Sequence, residues 1–228
     1  MINFSSGLIF LLGALAALGA AAIDMYLPSL PSIESELGGV SVSAQFTLSS
    51  FFIGLGLGQL FYGPISDSLG RRKVLVVGLL IYCLGSLFCF FAGTMMELIA
   101  ARFFQALGAA AGGVIARAMV RDVFTEKKAA QAQSFINLAF SFTPLMAPLF
   151  GGYLLIFFGW RSIFLALLLF GIICLLILIL KIPETLPKKK RNTLGLVSIV
   201  LGYRTILRNS RSIGSILSGA LAFSCMFT

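Results

Sequence analysis

A few charged residues of this 228-residue chain lie inside long apolar runs. An ionisable group at that depth in a bilayer costs roughly 2.5–3.5 kcal/mol on insertion scales, so each one requires a reason. Asp24 is the only acid in the first apolar run, and Arg102 stands near the start of a later one. Counted along their runs, the two lie at similar depth toward the same membrane face. A carboxylate near a cation, open to alternate sides, can bind and release a proton. If that proton competes with a substrate, the pair couples transport to a proton gradient. A static ion pair fastening two helices is the other reading. Asp24 at the headgroup level, where its charge is cheap, is a third.

A second group of charges is denser. Residues 58–73 read G-Q-L-F-Y-G-P-I-S-D-S-L-G-R-R-K. Asp67, Gly70, Arg71, Arg72 and Lys73 fall between two apolar runs, so the stretch joins an antiparallel helical hairpin. Arg117, Arg121 and Asp122 close another run; the two arginines are four residues apart and share one helix face. These charges form either a network that closes one end of a bundle or a set of solvated, topology-setting loops. Other chemistries are excluded. Histidine is absent, and Cys83, Cys89, Cys174 and Cys225 sit in apolar runs at unrelated spacings. They read as buried free thiols, with no disulfide framework or zinc site. No cofactor is implied beyond a coupling proton.

The elements that position these groups are membrane helices. Hydrophobic residues make up 59% of the chain and charged residues 11%, which excludes an ordinary soluble domain. Several runs reach the roughly 20 residues needed to cross a bilayer. The net charge of +9 does not indicate nucleic acid, because the cations cluster in three short loops and a linker. The first span is expected over Phe4 to Tyr26, ending near Pro28. No Lys or Arg precedes it, so it reads as a retained span, not a cleaved leader. A linker to about Ala44 carries Glu34 and Glu36. The next four spans are expected over 45–65, 74–92, 97–121 and 130–157, and the sixth over 162–180. Trp160 suits an interfacial anchor. Gly54 and Gly58 form G-x-x-x-G, which admits close approach by another helix. Pro144 and Pro148 remove backbone donors and are expected to bend the fifth span. Pro183 and Pro187 end the sixth, and Lys188, Lys189, Lys190 and Arg191 follow. Residues 1–181 thus form a six-helix bundle, 182–211 a basic linker with a surface helix, and 212–228 the start of a seventh span. The cation bias places the N-terminus and the basic loops in the cytoplasm.

Several motifs resemble those of one transporter family. G-x-x-x-D-x-x-G-R-R, carried by Gly63, Asp67, Gly70, Arg71 and Arg72, resembles the signature loop of major facilitator transporters. Ser68 departs from it, since that family often has Arg there. Arg102 to Gly108 resembles the R-x-x-x-x-G element of proton-coupled members, where the Arg is implicated in proton transfer. Pro148, Gly151 and Gly152, with Pro144 upstream, resemble an antiporter motif in which Ala147 replaces a glycine. Together with D-M-Y-L-P-S-L-P at 24–31, these look like the Bcr/CflA drug-resistance branch. The resemblance covers essentially the whole chain. It implies drug export in exchange for protons across a bacterial inner membrane. It also implies a cytoplasmic gate in which Asp122 pairs with Arg71 and Asp67 completes the network. Some related exporters carry a second acid deeper in the first span, absent here.

The expected protein is all-α and polytopic: the N-terminal half of a major facilitator fold plus part of a seventh helix. Its partners are a drug-like small molecule, the lipid bilayer and a C-terminal half, and it is not an enzyme. Tyr26, Phe46, Phe51 and Phe52 are candidate pocket aromatics; lipid-facing or packed positions are the alternative. A carrier of sugars, amino acids or organic anions has the same fold and motifs. A fragment that does not transport alone, and self-associates through its glycine face, is the remaining reading.

Overall fold

The computed structural model describes residues 6–38, 43–187, 189, 191, 213–215 and 217–219. Residues up to Arg191 form one compact unit. Its helices are α1 (Ser6–Asp24), a 3-10 turn (Leu27–Ser29), α2 (Leu30–Leu37), α3 (Gln45–Leu69), α4 (Arg71–Phe91), α5 (Met95–Val123), α6 (Glu126–Phe158) and α7 (Arg161–Lys181). Among the described residues, six stretches are long and apolar enough to cross a membrane, the first being Gly7–Leu37 and the last α7. In the second unit, Asn192–Thr228, residues 213–215 and 217–219 are helical. The surface helix expected over 194–208 lies outside the described residues, as does most of the expected seventh span.

The first span runs on where a stop at Pro28 was expected. Pro28 opens the 3-10 turn and Pro31 opens α2, the first-turn positions where a missing N–H costs no helical hydrogen bond. Helical structure therefore extends to Leu37, well into the expected linker. The hairpin turns are shorter than expected. A single residue, Gly70, separates α3 from α4, with φ of 101°. Only glycine adopts that value readily, so the reversal needs no longer loop. Helix α6 is continuous through Pro144 and Pro148.

Helix α5 is the packing hub, lying against α3, α4 and α1. Small residues let it approach. A Cβ added at Gly54 would lie 2.5 Å from the Phe103 carbonyl oxygen, and one at Gly58 2.5 Å from Ala110 Cβ. The G-x-x-x-G face of α3 is thus filled by α5 of the same chain, which corrects the expectation that it would serve self-association. Gly108 of α5 lies against Tyr82 N of α4 in the same way. The outer face of α6 is apolar and exposed at Phe142, Leu145, Leu149 and Ile156.

Candidate functional site

The Thr94 side chain accepts the Glu97 amide, and the Glu97 carboxylate accepts Gly93 N. This reciprocal cap fixes the start of α5 and carries Arg102 into the bundle two turns later. Arg102 is fully buried. Its Nη1 donates to Gln105 Oε1 at 2.7 Å and to the Ala22 carbonyl at 3.1 Å. That carbonyl is free because Tyr26 N turns instead to Ile23 O, tightening the helix end. The guanidinium carbon lies 4.1 Å from the ring centroid of Phe51, 4.4 Å from Tyr26 and 5.9 Å from Phe164. Rings from three parts of the chain thus enclose one cation, an attraction that grows when water is excluded. Gln105 Nε2 passes the contact to Ser86 Oγ at 2.9 Å, and Tyr26 Oη meets Thr47 Oγ1 at 2.6 Å.

Asp24 is buried, 5% exposed, two residues along α1 from the Ala22 carbonyl that Arg102 contacts. Among the described residues no ion pair or hydrogen bond reaches its carboxylate. The expected Asp24–Arg102 pair is therefore not made. Arg102 is instead enclosed by three rings, with Nη1 on two neutral oxygens and Nε and Nη2 without an acceptor among the described residues. Tyr26 and Phe51 are buried against Arg102, whereas Phe46 and Phe52 are exposed on α3, so the four candidate aromatics do not share one enclosed wall. Along the antiporter motif, Gly151 packs against the Met25 carbonyl beside Asp24, while Gly152 faces open space.

The other cluster lies where α3 turns into α4. Arg71 Nη1 meets Asp67 Oδ1 at 2.5 Å, and its Nε meets Asp122 Oδ2 on α5 at 2.9 Å. Nη1 also donates to Ser66 Oγ at 2.7 Å. Arg72 turns away and donates to the Ile179 carbonyl near the end of α7, at 2.7 Å. At the opposite end of the bundle, Glu36 accepts Trp160 Nε1 at 2.7 Å and also pairs with Arg161. The Arg161 guanidinium lies 4.1 Å from the Trp160 ring centroid, so the α6–α7 turn is tied to α2.

The chain matches the family profile described as Major Facilitator Superfamily over residues 9–228. It is 38% identical to an uncharacterized MFS-type transporter, YdgK of Bacillus subtilis, over 95% of this chain and 56% of the relative. It is 33% identical to the bicyclomycin resistance protein homolog of Haemophilus influenzae, covering 96% of this chain and 55% of that one. It is 34% identical to multidrug resistance protein D of Escherichia coli, covering 89% and 50%. The chain belongs to the major facilitator superfamily. Solved structures agree in fold: a bacterial homolog of the human lysosomal transporter Spinster superposes with TM-score 0.70 at 22% identity, over 86% of this chain and 46% of that one. The human organic anion transporter MFSD10 gives 0.68 at 21%, over 85% and 52%. This facilitator chain spans about half the length of the curated relatives it matches. It is a multi-pass membrane protein of a transporter family, not an enzyme.

Several residues of the facilitator site were not singled out from sequence. Gln105 had a readable signal, standing three residues after Arg102 on the same helix face. Ser86, Thr47 and Phe164 had none, because long-range packing alone brings them to Arg102. Glu184, between Pro183 and Pro187, carries no signal of its role in the sequence, yet its Oε1 accepts Arg71 N at 2.9 Å.

Proposed function

We propose that this chain is the N-terminal half of a proton-coupled drug exporter of a bacterial inner membrane, with its N-terminus and the Arg71 cluster in the cytoplasm. The names of two relatives, bicyclomycin resistance protein homolog and multidrug resistance protein D, support drug export. The observation that carries proton coupling is Asp24. It is a buried carboxylate in an otherwise apolar span, with no partner among the described residues. A carboxylate so placed can take up a proton from one side and release it to the other as access changes. Substrate would then sit near the bilayer midplane between two halves that rock around it. Asp67, Arg71 and Asp122 act as the cytoplasmic gate, forming when that side is closed. Arg102 serves by holding the end of α1, and so Asp24, in place.

The test is full-length transporter in proteoliposomes, with an imposed pH gradient and bicyclomycin as the first drug tried. Gradient-dependent export is expected from the native protein. Asp24→Asn should abolish it while leaving membrane expression intact. Undiminished drug-driven proton release from that variant would show that Asp24 is not the coupling group. The 228-residue chain alone is expected not to transport, because the path lies between the halves.

A further inference from the structure

We propose that residues 182–187, with Arg191, are a clasp on the α3–α4 junction, with Glu184 as the positioning residue that holds Arg71 in register with Asp67 and Asp122. This goes beyond the gate proposed above but rests on it for its meaning in transport. The junction is one residue long, so the first amides of α4 have no helical partners. Glu184 Oε1 accepts Arg71 N at 2.9 Å and its own chain's Leu186 N at 3.1 Å. Its Oε2 faces Arg191 Nη2 at 3.6 Å. A carboxylate at this position also complements the positive end of α4. The carboxylate fills the space above Gly70, where any Cβ would collide with it. The clasp is anchored on both sides by apolar burial of Ile182 and Leu186. It is continuous with α7, whose Ile179 carbonyl accepts Arg72 at 2.7 Å.

Two adjacent cations of the signature loop are therefore held by two parts of one later element. Arg71 is held through its backbone, which leaves its guanidinium free for Asp67 and Asp122. A displacement of the end of α7 would pull on both at once. Glu184 thus sets where the gate's arginine stands without touching Asp67 or Asp122.

Hydrogen–deuterium exchange on the purified chain in nanodiscs reads this directly, at the amides of residues 71–74. Glu184→Ala should raise their exchange at least tenfold. Glu184→Gln should raise it less than threefold, because the amide oxygen still accepts Arg71 N. Exchange in Glu184→Ala within threefold of native, or a Gln variant as fast as Ala, would overturn the clasp. Should Glu184→Ala not reach the membrane, Glu184→Asp takes its place: it keeps the charge but shortens the reach. A rise of threefold or more then supports the clasp, and a smaller one overturns it. The gate is read separately, as ethidium efflux from cells carrying the full-length transporter. Normal efflux in Asp67→Ala with fast exchange in Glu184→Ala removes the gate and keeps the clasp. Impaired efflux in the first with native exchange in the second does the reverse.

Discussion

Two arginines, held in opposite ways, divide the labour in this bundle. Arg102 has no carboxylate on it: its contacts are a carbonyl, an amide oxygen and three rings, all enclosed. Arg71 has two carboxylates, and the Asp67 side chain is 39% exposed. Water can reach Asp67 as its contact with Arg71 breaks, so that contact is cheap to exchange. Nothing replaces the contacts of Arg102 in a dry interior, so breaking them is expensive. Arg102 is built to stay; Arg71 is itself buried, but its pair with the half-open Asp67 is built to let go. Presence of an arginine in a motif does not reveal which kind it is; its acceptors and its access to water do.

The largest expected effect follows from the enclosed site. Arg102→Ala strands Gln105 and opens a gap among Tyr26, Phe51 and Phe164. A lost hydrogen bond to a buried charge costs roughly 1.5–3 kcal/mol, and the ring contacts add to it. The apparent unfolding temperature in detergent should drop by more than about 5 °C. Arg102→Lys should recover little, because a compact, strongly hydrated ammonium lacks the planar guanidinium that stacks among the three rings. The Asp24→Asn variant sharpens the point. Since Asp24 and Arg102 do not touch, the stability effects of Asp24→Asn and Arg102→Ala should add in the double variant. Strong non-additivity would restore the ion pair that the sequence suggested.

That mistaken pair shows what was legible here. Apolar run length and the cost of buried charge located six spans and flagged Asp24 and Arg102, because both are one-dimensional properties. The first span extends past the stop expected near Pro28, because proline there opens a helical turn, and α3 runs beyond the expected 65 to Leu69. Arg71, Asp67 and Asp122 were grouped by resemblance, and the structure brings the three within contact distance. The acceptors of Arg102 were not legible. Ala22 O becomes available only because the helix tightens at Tyr26, and Phe164 arrives from another span. Depth along a helix can be counted from sequence, but the direction in which a side chain leaves it depends on neighbours that have not yet been placed.

A smaller effect on stability, but not on activity, is expected where Arg71 meets the half-open Asp67. Asp67→Ala removes one of two carboxylates from a partly solvated pair, which is worth roughly 0.2–1 kcal/mol. The unfolding temperature should fall by less than about 3 °C. Drug turnover by the full-length transporter should nevertheless drop, with drug affinity little changed, because the gate closes less often. A melting shift as large as that of Arg102→Ala would erase the contrast between the two arginines.

The smallest effect concerns a glycine inside the signature motif itself. Gly63 lies within α3, and a Cβ built there would meet nothing within 4 Å. Gly85 is the opposite case at the enclosed site, since its Cβ would lie 2.5 Å from Gln105 N. Gly85→Ala should therefore push α4 off α5 and disturb the Gln105–Ser86 contact. Gly63→Ala should be tolerated by this chain alone. It should even stabilise α3 slightly, by at most about 1 kcal/mol, because alanine is the better helix former. The informative measurement is the same substitution in the full-length transporter. If Gly63 faces the second half, the methyl group collides there, and turnover falls although the 228-residue chain melts no lower. If Gly63 faces lipid, both measurements stay at the native value. A lower melting temperature in the short chain would contradict the open space above Gly63, and with it the idea that this motif glycine serves a surface outside the six-helix unit.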